Sequence, residues 1–170
     1  MTCSVIGNNT AAFPFDYEND YFKRAIYTDK LYNIVESLIC SGYDHFITGL
    51  GKGADMDFGG AVLYFKSSDY SEYNITLESV MPGPRTGINY PDEYWESYDY
   101  IVSSSDIVTK AVKNSKPLSL KQRKEFIIDH SDLVLYVWNG STNNVIWDTI
   151  QYAKKNNKKI RYLMLNEIHV

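Results

Sequence analysis

The sequence predicts a doubly wound α/β fold: a mostly parallel sheet with helices on both faces. Three observations predict it. Short β-rich runs alternate with helical patterns, the signature of βαβ units. The run Leu133-Val134-Leu135-Tyr136-Val137-Trp138 is unbroken and apolar, as expected of a strand covered on both faces. Turns rich in Gly or Asn follow strands directly, where such sheets hold their ligands.

The elements follow in order. Cys3-Ser4-Val5-Ile6-Gly7 reads as the first strand. Thr28 is a fair N-cap, and Leu31, Ile34, Val35, Leu38 and Ile39 recur at helical spacing, giving a core-facing stripe that Gly42 stops. His45 to Thr48 is the second strand, followed by the turn Gly49-Leu50-Gly51-Lys52-Gly53. The next helix turns Met56, Ala61, Val62 and Phe65 inward and ends in the polar stretch from Ser67 to Glu72. Asn74 to Val80 is the third strand. Pro82-Gly83-Pro84 breaks the chain, and Pro91 opens a helix as its first residue, with Tyr94, Trp95, Tyr98, Ile101 and Val102 facing the core. Ile107 to Val112 reads as the fourth strand. Ser119 caps a helix with Phe126 and Ile127 inward, Leu133 to Trp138 follows, a helix runs from about Ile146 to Lys155, and Ile160 to Leu165 is the last strand. No repeat or linker interrupts this order, and 170 residues suit a single domain over 1–170.

Composition narrows the function classes. Apolar residues are 44% and charged residues 22%, which excludes a disordered or collagen-like chain. Fifteen tyrosines allow a core that also presents ring faces and hydroxyls. The formal charge of −4 argues against a dedicated binder of the phosphate backbone, so nucleic acid is not the expected partner. No basic-then-apolar leader opens the chain and no apolar run is long enough to span a bilayer, so the expected compartment is the cytoplasm, away from membranes. Cys3 and Cys40 lack metal spacing and are expected buried and reduced; neither metal nor cofactor is expected.

The turns carry the chemistry. Gly49-Leu50-Gly51-Lys52-Gly53-Ala54 satisfies G-x-G-x-x-G/A, with Asp69 roughly 20 residues further on. It follows the second strand and not the first, and no Gly-Lys-Ser/Thr makes it a Walker loop. Its glycines either serve a turn with positive φ or let a phosphate or carboxylate approach the helix N-terminus. Lys52 is a ligand contact or a solvated side chain; Asp55 caps the helix or meets a ligand hydroxyl. Asn139-Gly140-Ser141-Thr142-Asn143-Asn144 faces the same edge, its hydroxyls and amides suited to sugar or phosphate, with Ser141 or Thr142 as the alternative N-cap. Arg123 can grip a phosphate with two N–H groups. Arg85, on the loop after the third strand, is an anion clamp or a surface residue. Gly7 and Asn8 end the first strand at the ligand edge, and Phe13 and Phe15 either stack on a base or close the core. His45, His130 and His169 are scattered and read as structural.

These same turns resemble the YpsA-like family of the SLOG superfamily. The resemblance rests on Thr48-Gly49-Leu50-Gly51-Lys52-Gly53-Ala54-Asp55, on Arg123-Lys124-Glu125-Phe126-Ile127-Ile128-Asp129-His130-Ser131-Asp132 running into Leu133 to Trp138, and on Tyr152-Ala153-Lys154-Lys155. It implies a Rossmann-like fold and a pocket for a nucleotide-derived ligand, with Gly49, Gly51, Gly53 and Asp55 as a first phosphate or ribose loop and Gly140, Ser141, Thr142 and Asn143 as a second. The superfamily also holds the Lonely Guy phosphoribohydrolases and the DNA-processing protein DprA. The hydrolases pair an Arg-Lys helix start, matched by Arg123 and Lys124, with a glycine loop followed by glutamates; here Val145 and Ile146 stand where the acids belong. Cleaving an N-glycosidic bond needs a carboxylate at the reacting carbon, by analogy with glycosidases. Asp148, one turn on, and Arg123 are the only catalytic candidates.

Three readings follow. The first is a non-catalytic sensor or sequestering protein for an NAD- or ADP-ribose-like ligand or a cyclic signalling nucleotide; other SLOG domains are associated with such signals in antiphage defence. The second is a nucleoside-monophosphate phosphoribohydrolase, and the third a DprA-like nucleic-acid partner. A homo-oligomer is expected from the resemblance, with the aromatic helix from Tyr94 to Tyr100 as a candidate face.

Overall fold

Six strands pair in parallel in the order β4-β3-β2-β1-β7-β8 in the computed structural model, which describes residues 1–68, 70–81, 90–113 and 116–169. Chain order is β1 (Thr2–Gly7), α1 (Tyr21–Cys40), β2 (His45–Thr48), α2 (Ala54–Ser67), β3 (Thr76–Met81), α3 (Asp92–Ser104) and β4 (Ile107–Lys110). There follow a two-residue antiparallel pair, β5 (Val112–Lys113) and β6 (Lys116–Pro117), then α4 (Leu120–Asp129), β7 (Leu133–Trp138), α5 (Val145–Lys155) and β8 (Lys159–Met164). The chain winds outward from β1 to β4, then returns across the sheet to β7. The doubly wound α/β fold, Rossmann-like, is therefore observed.

Side-chain alternation along the strands divides the core between two helical layers. Cys3 and Val5 of β1, with Leu135 and Val137 of β7, pack with Leu31 and Val35 of α1, Phe58 and Val62 of α2 and Tyr98 and Ile101 of α3. Ile6, Val134 and Tyr136 turn the other way, onto Ile127 and Ile128 of α4 and Ile146 and Ile150 of α5. This explains the unbroken apolar run of β7: both faces are covered, and Val134 to Val137 are fully buried. Burying each such side chain contributes about 1.5–3 kcal/mol, which makes β7 a keel of the sheet.

Several boundaries differ from expectation, each for a local reason. α1 begins at Tyr21 and not at Thr28, because Asp20 caps it by accepting the Lys23 N–H at 3.1 Å. The buried stripe thereby starts at Tyr27. β3 starts at Thr76, after a short 3-10 turn, and β8 ends at Met164. Pro91 is the N-cap of α3, one residue before its first turn. β4 stops at Lys110 and the chain turns into the β5–β6 hairpin; β4 is a sheet edge with Ile107 and Val108 exposed. Neither Ser141 nor Thr142 caps α5: Asn144 does, accepting the Trp147 N–H at 3.0 Å. Cys3 is buried as expected, whereas Cys40 ends α1 exposed. Among the described residues no helix is long and apolar enough to cross a membrane.

Candidate functional site

The reversal of strand order lies between β1 and β7, so the crevice sits where the loops after β1, β2 and β7 meet. Backbone bonds lock these loops together. Asn8 donates its N–H to the Val137 carbonyl at 3.0 Å, its own carbonyl accepts from Ala54 N–H at 3.2 Å, and its Oδ1 accepts from Asn139 N–H at 3.0 Å. Asn139 Nδ2 donates in turn to the Ala12 carbonyl at 2.9 Å. Asn8 is thus a structural clasp, its side-chain oxygen already engaged.

Asp55 is the second clasp. It does not cap α2, whose N-cap Gly53 offers no side chain. Its Oδ1 accepts from Gly7 N–H at 3.0 Å and its Oδ2 from Gly51 N–H at 3.3 Å, while Thr48 Oγ1 donates to its carbonyl at 2.6 Å. The glycines have intramolecular reasons. A Cβ on Gly7 would stand 2.2 Å from Ala54 Cβ, and one on Gly53, at φ +100°, 2.8 Å from both Asn8 O and Thr10 N. At Gly49 and Gly51 a Cβ would crowd Asp55 Oδ2 at 3.1 and 3.0 Å. Of the loop's own residues the left-handed ones are Gly53 and, unexpectedly, Leu50 at φ 59°, fully buried and held through its carbonyl by the Tyr94 hydroxyl at 2.6 Å. A left-handed non-glycine costs of the order of 1 kcal/mol and persists only where its surroundings hold it.

Arg123 and Lys124 come to this edge on the first turns of α4. The helix starts there because Ser119 and Gln122 form a capping box, with the Gln122 N–H donated to Ser119 Oγ at 3.3 Å and the Ser119 N–H to Gln122 Oε1 at 3.1 Å. Arg123 is 8% exposed and Lys124 7%. Nε and Nη1 of Arg123 are buried with no hydrogen-bond partner among the described residues. Burial pulls the pKa of both side chains down; Asp55 acts against it, and the Arg123 charge lowers Lys124 further. Two buried cations therefore lie within electrostatic reach of one carboxylate whose oxygens already accept two N–H groups. Such an arrangement calls for an anion, since a buried charge left uncompensated is expensive. Guanidinium geometry suits a phosphate or carboxylate gripped by two N–H groups. The α2 N-terminus is the weaker attraction, because Asp55 and Asp57 already meet its dipole.

Beside the loops a cleft of about 760 Å³ opens between α1, α2 and α3, with Lys52 and Gly53 in its wall. Asp57 also lines it, its carboxylate accepting the Tyr17 hydroxyl at 2.7 Å and the Tyr27 hydroxyl at 2.9 Å. Burial pushes the Asp57 carboxyl up to about 6, against the pull of those two hydrogen bonds.

The residues expected at the site are distributed unevenly. Gly7, Asn8, Gly49, Gly51, Gly53, Asp55 and Arg123 converge on the reversal, and Lys52 borders the cleft. Gly140 is left-handed, at φ +85°, and Ser141, Thr142 and Asn143 are exposed beyond it. Arg85 and Asp69 lie outside the described residues. Phe13 and Phe15 are not base-stacking faces: they are buried edge-on against each other and Phe13 against Tyr17 and Tyr27, closing the core. Of the two positions where acids would stand, Ile146 is in the core and Val145 exposed; Asp148 is exposed on the first turn of α5. His45 Nε2 lies 3.0 Å from Glu78 Oε2, and His130 Nδ1 2.8 Å from the Phe126 carbonyl, both away from the reversal. Tyr94 and Asp57 went unsingled in the sequence, Tyr94 counting only as core. Two acids two residues apart behind a glycine loop are the one signal that marked Asp57.

A six-stranded parallel sheet reversing beside a buried cation pair defines an α/β protein of Rossmann-like class. Its family follows from the sequence: the model of the YspA SLOG family matches residues 10–168, and the chain belongs to that family. The X-ray structure of DNA processing protein A (DprA) from Streptococcus pneumoniae superposes with a TM-score of 0.62 at 16% identity, over 95% of this chain and 49% of that one. The chain thus spans about half the length of that protein, and the likeness is one of fold. No curated protein matches the sequence.

Proposed function

We propose that this protein binds a nucleotide-derived small molecule, of NAD- or ADP-ribose-like chemistry, as a sensor or sequestering protein. One observation carries the reading: Arg123, buried, with Nε and Nη1 unbonded among the described residues, next to the buried Lys124. Phosphate oxygens are the acceptors that planar fork fits. Membership of a SLOG family supports a nucleotide-related role in binding or processing. Binding is favoured over turnover because catalysis needs interactions stronger in the transition state than in the bound ligand. A carboxylate at the sugar's reacting carbon would supply one. Ile146 is a core residue, and Asp148 is a solvent-exposed acid.

The test is calorimetric titration with AMP, NAD and ADP-ribose, with chromatographic detection of released base. Wild type binds at least one of them, and Arg123→Met weakens that binding about tenfold to a hundredfold, as loss of a charged hydrogen-bond donor does. No binding by any of the three overturns the reading. Release of free base, lost in Asp148→Asn, makes the protein a phosphoribohydrolase instead. Binding of single-stranded DNA in preference to all three would favour the nucleic-acid role that the charge of −4 disfavours.

A further inference from the structure

The cleft between α1, α2 and α3 is not explained by a single phosphate at Arg123. Its volume of about 760 Å³ lies within the span of small-molecule sites, roughly 300–1,000 Å³. Gly60 forms part of its wall, in the interior of α2. A glycine there costs about 0.5–1 kcal/mol relative to alanine, so it calls for a reason. Its neighbour Gly59 has one: a Cβ would stand 3.2 Å from Ile101 Cγ2, so close packing of α2 on α3 demands its absence. Among the described residues, a Cβ at Gly60 would meet nothing within 4 Å. There the missing side chain leaves open space in the cleft and serves no packing contact.

The polar groups of the cleft are held in place. Asp57 carries one tyrosine hydroxyl on each carboxylate oxygen, leaving each oxygen a lone pair for a further donor. Arg24 sits over the Tyr17 ring at 4.6 Å, fixing the ring that orients Asp57. Tyr94 is the common wall: it lines the cleft, its hydroxyl donates to the Leu50 carbonyl, and it stands within electrostatic range of Arg123. Lys52 lines the cleft from the loop beside that wall.

We infer that this cleft is a second subsite, taking the distal sugar and base of a dinucleotide whose phosphate is held at Arg123. The inference rests on the nucleotide reading and deepens it. Asp57 accepts hydroxyl groups of the distal sugar, and the Lys52 ammonium neutralises the linking diphosphate. AMP then occupies one subsite, and NAD both.

AMP and NAD are titrated calorimetrically into wild type, Gly60→Met and Ser97→Trp. Both substitutions fill the cleft, from α2 and from the exposed face of α3, so either serves if the other does not fold. The expected result is NAD bound more tightly than AMP by wild type, and about tenfold or more weakened in the variants, equivalent to roughly 1.4 kcal/mol, with AMP changed less than about twofold. NAD affinity within about twofold of wild type in a folded variant, or equal weakening of AMP, overturns the second subsite and leaves the nucleotide reading standing. Failure of wild type to bind NAD overturns the second subsite, and the nucleotide reading falls with it only if AMP and ADP-ribose also fail to bind.

Discussion

Arg123 sets the tension between stability and binding at the scale of the residue. A guanidinium with two buried nitrogens that bond nothing among the described residues carries a desolvation cost in the free protein, which an apolar side chain of similar size does not. Arg123→Met is therefore expected to raise the urea midpoint of the ligand-free protein by an amount worth about 1–3 kcal/mol while losing nucleotide affinity. A variant less stable than wild type would show that the free protein already satisfies the charge. The loop glycines allow a second comparison. Gly53→Ala forces a Cβ to 2.8 Å from two backbone atoms at a left-handed φ, and is expected to cost about 2–4 kcal/mol. At Gly51 the obstacle, 3.0 Å away, is the tip of the Asp55 side chain, which can give way. Gly51→Ala should cost about 1 kcal/mol or less, and Gly51→Val should act chiefly through displacement of Asp55 and loss of ligand. Equal unfolding free energies for Gly51→Ala and Gly53→Ala would contradict this ordering.

At the scale of the element, Asp57 joins α1 to α2, taking hydroxyls from Tyr27 of α1 and from Tyr17 on the preceding loop. Its pKa, raised to about 6 chiefly by burial, with Asp55 adding to the rise and the two hydrogen bonds and Arg24 opposing it, gives a pH dependence of definite sign. The unfolded carboxyl titrates near 4, so between about pH 4 and pH 6 the folded protein holds the extra proton, and stability falls as pH rises through that window. The loss is on the order of 3 kcal/mol and is complete by about pH 7. Asp57→Asn should abolish this component, so the difference in urea midpoint between variant and wild type widens in the variant's favour from about pH 4 to pH 7. A pH-independent difference would place the Asp57 pKa at its ordinary value. Element boundaries were the least legible part of the sequence. Thr28 and Asp20 are both acceptable caps, and the choice went to Asp20 because Tyr27 then joins the buried stripe with Leu31 and Val35. Asn144 likewise displaced Ser141 and Thr142 as the α5 cap.

For the whole molecule, the sheet is protected from its centre outward. β1 and β7 are paired on both sides and covered by helices on both faces, whereas β4 is an edge with Ile107 and Val108 exposed. Amide hydrogen exchange is expected to be slowest for Val5, Ile6, Leu135 and Tyr136 and fastest, among the strands of the sheet, for residues 107–110. Protection of β4 equal to that of β7 would mean that something covers that edge in solution. Bound nucleotide should slow exchange around residues 49–55 and 123–124 more than in β8, since binding stabilises what it touches.

The sequence by itself determined the class of the sheet and the place of its crevice. Strand and helix periodicities, and one apolar run too uniform for a half-exposed strand, suffice for that because they are local consequences of burial. It also singled out Gly49 to Gly53, Asp55 and Arg123, because glycine-rich turns and paired cations are unusual wherever they occur. The purpose of each glycine was decided only by the tertiary structure: Gly7 and Gly53 make room for a neighbouring loop's backbone and for Ala54, contacts between residues over forty positions apart. The tertiary structure likewise buried Arg123 with Nε and Nη1 unbonded among the described residues, drew Tyr17 and Tyr27 onto Asp57, and of the two roles open to Phe13 and Phe15 chose core closure. Periodicity reports which face of an element is buried; what a side chain meets there depends on strand order, and strand order is written in no single stretch of the chain.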